Sequence, residues 1–398
     1  MRICAVTSFP PTVAGVADYG AFLVEELARD GRVEHVTVLA DRAGGALDRE
    51  VVTRRVEILR VWERDRPDIG ITLDRAIART NADVVWFNLG LTMFGTRPAA
   101  VTAMVAPLAA RLRGRRTVVT LHELPAMADL TTLGIGRVRG RLVSAVVLRA
   151  LLRANAVVVT LDRYREHLVH GMGARNVTHV AHQVSEHVAH SDEPEDETVL
   201  VFGTFGPHKD PGLVARAVAT LRVSRPGLRL VVAGADNPRY PGFMDQCRAA
   251  WDLAGSWRGY VPREELPALF AQATVVVVPA RASTGSSGVI HRAVAHGRAV
   301  LASDLPDHRA LAREEDLALD WYRAGDAASL ADALGRLLSD TSRRDALVRH
   351  NRESLARLSP RRMVDAYLAA FGRRDRIPSI AAEGHASALL AVEPVTEA

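Results

Sequence analysis

Lysine is nearly absent from this 398-residue chain: among 51 Lys and Arg residues, Lys209 is the single lysine. Cysteine is scarce too. Cys4 and Cys247 lie far apart, which excludes a disulfide framework and predicts small buried thiols in a reducing compartment. Aromatic residues make up 5% and never interleave with a basic stripe, so a net charge of +5 carries no nucleic-acid signature. The longest apolar stretch, Leu142 to Leu152, is broken by Arg149 and is too short to span a bilayer. Met1 to Thr7 lacks the charged start, apolar centre and cleavage site of a secretory leader, so the expected location is cytoplasmic. No Asp-x-Asp triplet and no histidine cluster at ligand spacing occur, so neither a metal nor a cofactor is expected.

What is present reads as globular. The chain is 48% hydrophobic and 24% charged, and its length suits two domains rather than one core. Strands at Arg2 to Thr7, Val36 to Ala40, Asp83 to Phe87, Thr117 to Leu121 and Ala156 to Thr160 alternate with helical patterns, which predicts a parallel sheet covered on both faces. Between the first strand and the helix from Asp18 lies a glycine loop, Ala14 to Ala17, the opening of a Rossmann-like unit without the GxGxxG of dinucleotide enzymes. The helix from Arg137 to Arg153 mixes five arginines with an apolar face; it is read as core-facing, with an anionic membrane surface as the competing reading. An acidic run, 191–197, then separates this block from a second α/β block.

The second block opens with the apolar run Val199 to Phe202, a turn Gly203 to Lys209 and a helix from Asp210. A strand, glycine turn and helix start expose backbone N–H groups and the positive end of a helix dipole, so an anion is the expected occupant. A compact ammonium is not replaced by a planar guanidinium where one point charge must fit between phosphate oxygens, which explains why the lysine survives here. A second cradle follows the strand Thr274 to Pro279: small residues through Ser286, then Ser287 as a helix N-cap before Gly288 and Val289. In the first block, His122 and Glu123 directly follow an apolar strand, at the end where open α/β sheets bind ligands.

Together with Trp257 to Val261, Glu265, Leu266 and the run Ala293 to Asp304, these motifs resemble the retaining GT-B glycosyltransferases, closest to family 4. The likeness covers about residues 1–372. It implies two Rossmann-like domains facing a cleft: 1–190 for the acceptor, 191–197 as linker, 198–359 for the donor. A last helix, 360–376, would cross back to the first domain, and a tail, 377–398, would be mobile. It implies His122 and Lys209 as catalytic residues, Lys209 on the diphosphate and His122 near the reacting sugar. Donor contacts would come from Gly15, Gly203, Thr204, Gly259, Tyr260, Val261, Thr284, Ser286, Ser287, Gly288, Val289 and Arg292, and acceptor contacts from Asp18, Tyr19 and Glu123.

The departures are specific. The family's paired glutamates should fall near Thr284 and at Arg292, and neither position is acidic. The usual arginine partner of the lysine should fall near Thr204 and is absent. Arg292 is read as restoring that positive charge from the opposite loop. The expected partners are a nucleotide sugar and a hydroxyl-bearing acceptor, with peripheral membrane contact and no nucleic acid. A non-catalytic partner subunit and a nucleotide-sugar epimerase of the same architecture are the alternatives.

Overall fold

The computed structural model describes residues 1–95, 97, 102–127, 137–182, 193–237, 239–250, 256–282 and 285–372. Thr284, the first two linker residues and the tail from residue 377 lie outside them. The chain forms two sheets. The first holds β1 (Arg2–Val6), β2 (His35–Asp41), β3 (Arg49–Thr53), β4 (Val56–Trp62), β5 (Val84–Leu89), β6 (Thr117–Leu121), β7 (Ala156–Val159) and β8 (Val177–His179). Their order is β3-β4-β2-β1-β5-β6-β7-β8. The second holds β9 (Thr198–Phe205), β10 (Arg229–Asp236), β11 (Ser256–Arg258), β12 (Val275–Val278), β13 (Ala299–Ser303) and β14 (Asp320–Tyr322), ordered β11-β10-β9-β12-β13-β14.

Both orders reverse direction once, between β1 and β5 and between β9 and β12, which is where a doubly wound sheet opens a crevice at its carboxyl end. β9 and β12 pair only at Val199 with Val275 and Leu200 with Val276, after which no further pairing joins them. Pairing is parallel except at the edge, where β3 runs antiparallel to β4. That hairpin, the helix Ile69–Arg79, β8 and the helix Thr341–Arg357 escape the sequence reading. β3 is exposed throughout and carries no burial alternation, so its pattern held no strand signal. β12 is the opposite case. Its four valines are at most 2% exposed, each contributing roughly 1.5–3 kcal/mol of burial. β9 also runs two residues past Gly203, through Thr204 and Phe205, because both continue the parallel register against Ala235 and Asp236.

Six helices matter below: α1 (Gly15–Arg29), α2 (Arg137–Leu151), α3 (Pro211–Leu221), α4 (Gly288–Ala295), α5 (Pro306–Glu314) and α6 (Pro360–Gly372). α6 packs on the first sheet: Tyr367 joins a buried network in which Tyr19 Oη and Thr120 Oγ1 lie 2.7 and 2.9 Å from its hydroxyl. Trp86 Nε1–H donates to the same Thr120 Oγ1 at 2.9 Å. α2 sinks Leu148 and Leu151 into the core, while Val143 and Val146 on its other side stay 49% and 67% exposed beside Arg149 and Arg153. The acidic run is tied to the second sheet's neighbourhood, with Glu193 2.6 Å from Arg344 and Asp196 3.1 Å from Arg229.

Candidate active site

Lys209 sits at the crest of the turn after β9. Asp210 caps α3 by accepting from the Leu213 amide at 2.9 Å, and Pro211 takes the first helical position, where its missing N–H costs nothing. The two predicted cradles are stitched together: Asp210 N–H donates to Pro279 O at 2.9 Å, and Arg281 N–H to His208 O at 2.8 Å. Lys209 itself bridges to Ala280. Its ammonium lies against Gly203, where a Cβ would sit 2.6 Å from Nζ and 3.0 Å from Val289 Cγ2, and Gly203 holds φ +134°. A side chain at residue 203 would therefore evict the lysine. Among the described residues the ammonium has no hydrogen bond and no ion pair, and burial followed by the nearby Arg292 charge pulls its pKa down to about 8.

Ser287 caps α4 from its own side chain, accepting from Ile290 N–H at 3.4 Å. Just before it, Ser286 Oγ is buried and has no hydrogen-bond partner among the described residues. The free N–H groups at the start of α4, an uncommitted hydroxyl and an unpaired ammonium thus converge on one small region, the arrangement that binds phosphate. Thr204 lies in β9 beside it. Gly259 and Tyr260 are exposed at the carboxyl end of β11, Tyr260 at 61%, while Val261 turns into the core at 8%.

The first sheet contributes the opposite wall. His122 follows β6, and its Nε2 lies 2.6 Å from Asn88 Oδ1. Asn88 spends its amide hydrogens on Thr7 Oγ1 at 2.9 Å and Val16 O at 3.0 Å, so its oxygen must face the imidazole. His122 therefore carries its proton on Nε2 and keeps the Nδ1 lone pair, and burial holds its pKa down at about 4, leaving it neutral. Asn88, which the sequence reading missed, ties three site elements together: the end of β1, the glycine loop and His122. The available signal was one amide closing the otherwise apolar run Val84 to Leu89. Changing Asn88 to Asp is expected to raise the His122 pKa, because a carboxylate beside Nε2–H favours the imidazolium. Turnover should then fall on the order of ten-fold as pH drops through the ordinary histidine range, against a flat wild-type profile there. A flat profile in the variant would show that the tautomer is irrelevant.

Glu123 turns the other way. Oε2 accepts from Leu91 N–H at 3.2 Å, and burial pushes its pKa up to about 7. It closes one end of a cavity of about 60 Å³ lined by Leu89, Leu121, Val147 and Leu148. Gly15 begins α1 in open space, and Asp18 stands one turn on, paired with Arg292 of α4 at 2.7 Å. Tyr19 requires a correction. It is 2% exposed with its hydroxyl committed to Tyr367, and its ring meets His122 edge-on at 4.7 Å, so it supports the histidine from the core and offers nothing to an acceptor. The helix phase that buries Phe22 and Leu23 buries it as well.

The two walls touch. Gly285 N–H donates to Asp307 Oδ2 at 3.1 Å, and Asp307 also accepts from Tyr164 Oη at 2.7 Å and from Arg163 across the cleft. Asp162 and Arg163 amides donate to Glu314 at 2.5 and 3.1 Å. His182, just after β8, stacks on His291 of α4 at 4.8 Å, and His291 Nε2 lies 2.6 Å from the buried Glu315. Asp307, Glu314 and Glu315 sit on or just after α5, a charged stretch that the sequence reading passed over.

Residues 196–340 match the family model described as glycosyl transferases group 1. Over those residues the chain is similar to that family. A GDP-mannose-dependent alpha-(1-6)-phosphatidylinositol monomannoside mannosyltransferase from Mycolicibacterium smegmatis is 26% identical over 306 residues, 70% of this chain and 72% of the relative. Sucrose-phosphate synthase from Thermosynechococcus elongatus superposes with a TM-score of 0.71 at 17% identity, covering 93% of this chain and 99% of that one. The Anabaena HepE protein in complex with UDP-glucose gives 0.68 at 15% identity, covering 93% and 100%. The fold is GT-B, and the family match and the named relatives support a glycosyltransferase.

Proposed function

We propose that this glycosyltransferase moves a sugar from a nucleoside diphosphate to a hydroxyl acceptor with retention of anomeric configuration and without a metal. The unpaired Lys209 ammonium at the switch point of the second sheet carries the reading. The diphosphate occupies the region between Lys209, Ser286, Ser287 and the start of α4, with Gly203, Thr204 and Val289 beneath it and Gly15 opposite. Gly259, Tyr260 and Val261 lie by the base. The residues that face the departing phosphate are a cation and backbone donors, so its charge is met by electrostatic stabilisation. In the transfer step the C1–phosphate oxygen bond breaks while the bond from C1 to the acceptor oxygen forms on the same face. The acceptor proton passes to the departing phosphate oxygen. His122, neutral and anchored by Asn88, accepts a hydrogen bond from a sugar hydroxyl through Nδ1. Glu123 and Asp18 stand on the acceptor side.

Peripheral membrane contact belongs to the same reading: Val143 and Val146 project beside Arg149 and Arg153, an apolar and basic face suited to anionic lipid. Among the described residues no helix is long and apolar enough to cross a membrane.

The missing family glutamates favour the non-catalytic partner as a second reading, and one experiment separates the two. The protein is incubated with a panel of sugar nucleotides and acceptors, with and without chelator, and the product's anomeric configuration is read by proton NMR. Retention, unaffected by chelator, is the expected result. Inversion removes the same-face mechanism. Nucleotide binding without turnover on any donor would support the partner reading.

A further inference from the structure

The cleft holds an ion pair of unusual placement. Arg292 projects from α4 one turn beyond Gly288, on the same helix face, and its guanidinium lies 5.8 Å from the Phe202 ring. Phe202 and Gly203 are adjacent residues in the second half of β9, and the Lys209 ammonium rests on Gly203, so both cations lie along the same stretch of the same strand. Arg292 is close enough for its charge to act on Lys209. Two like charges at this range repel, and each needs an anion. One carboxylate is supplied: Asp18 Oδ2, 2.7 Å from Arg292 Nη2 and contributed by the opposite wall. Asp18 is half exposed, so no core packing fixes it to this partner. Among the described residues no carboxylate is supplied to Lys209, whose ammonium lies 6.0 Å from the centroid of the Phe205 ring.

We infer that Asp18 holds the place of a phosphate: the donor diphosphate displaces its carboxylate from Arg292 and takes both cations at once. Arg292 then presents its planar fork to the phosphate oxygens while Lys209 supplies a point charge, a division of labour that suits a diphosphate better than a single phosphate. The exchange explains the arginine at position 292. With the family's arginine absent near Thr204, the second positive charge comes from α4, and a carboxylate of the first domain keeps it positioned until the donor arrives. The inference rests on the glycosyltransferase reading above and names how that donor site is assembled.

The sign of one substitution tests it. If Asp18 competes with the donor, Asp18→Asn removes the competitor and leaves the arginine in place. Calorimetry with inorganic pyrophosphate and with UDP, GDP, ADP and dTDP is then expected to show about three-fold or greater tightening in Asp18→Asn. Arg292→Ala should weaken binding about ten-fold, as expected for loss of a charge-assisted contact. The double variant should match Arg292→Ala, because without the arginine there is nothing for Asp18 to block. Unchanged or weaker binding in Asp18→Asn would overturn the exchange and make the pair a simple clasp between domains. Unchanged binding in Arg292→Ala would overturn it as well. If the unmodified protein binds neither pyrophosphate nor any nucleoside diphosphate, the donor reading itself falls. Thermal midpoints of the three variants distinguish lost contacts from lost folding.

Discussion

Lys209→Met loses about a hundred- to a thousand-fold in turnover at neutral pH, the scale seen when one preorganised group facing a developing anion is removed. Methionine fills the space against Gly203 and Val289, so the charge is deleted with little change in packing. The pH dependence makes the assignment specific. Burial holds the Lys209 pKa at about 8, below its ordinary value of 10.5. Donor binding by the unmodified protein therefore weakens as pH rises through about 8 and the ammonium is lost. Stability runs the other way. Between those two values the unfolded chain holds a proton that the folded chain has released, so this group's contribution to stability rises with pH across the window. Nucleoside diphosphate affinity and thermal midpoints, measured together from about pH 6.5 to 9.5, should thus move in opposite directions. Lys209→Met should show neither limb. A variant that kept its donor affinity would remove Lys209 from the site.

Gly285→Ala is the second large effect, and it acts through geometry. Gly285 has φ +89°, and a Cβ there would fall well inside contact distance of the His122 carbonyl oxygen, a backbone atom of the opposite wall. The added carbon meets an atom that cannot swing away, so the walls must part or the loop must leave Asp307. Either movement shifts reacting groups by about an ångström, which costs on the order of a hundred-fold in rate. The left-handed backbone adds about 1–2 kcal/mol of destabilisation. Lys209 lies outside that contact, so nucleoside diphosphate affinity should change less than turnover. Unaltered turnover would mean that the arrangement in which Gly285 meets His122 is not the one that reacts.

In the second sheet β9, β12 and β13 were legible because they are buried along most of their length, whereas the short, half-buried β14 was not read. Val199 to Phe202 and Val275 to Val278 are unbroken apolar runs ending in glycine or proline, and Ser287 announces α4 by its cap. The first sheet was read only where it shares that property. β3 is an exposed edge strand with no reason to alternate, whereas β4 alternates buried and half-buried positions but carries Arg60 at a buried one, which breaks the apolar pattern in its sequence. At the site, the residues proposed to face ligand stood out as charges or glycines at strand ends. Residues that hold them did not. Asn88 and Asp307 act by making several hydrogen bonds at once to segments remote in sequence, and no local pattern encodes such a partner list. Tyr19 was misplaced for the same reason: proximity to the glycine loop suggested a contact, whereas its hydroxyl answers a residue 348 positions away.

That distant tyrosine has a bearing on how the molecule is made. The core beneath β1, β5 and β6 is finished by Met363, Tyr367 and Phe371 of α6. A ribosome releases the first sheet long before it releases those residues, and the whole second sheet emerges between. Until then Trp86, Thr120 and Tyr19 lack their last neighbour, so the earlier domain stays incomplete while the later one can close by itself. Vectorial synthesis thus leaves the first wall as the last part to set, and a nascent chain interrupted before residue 360 would carry a finished second half beside an open, adhesive first core.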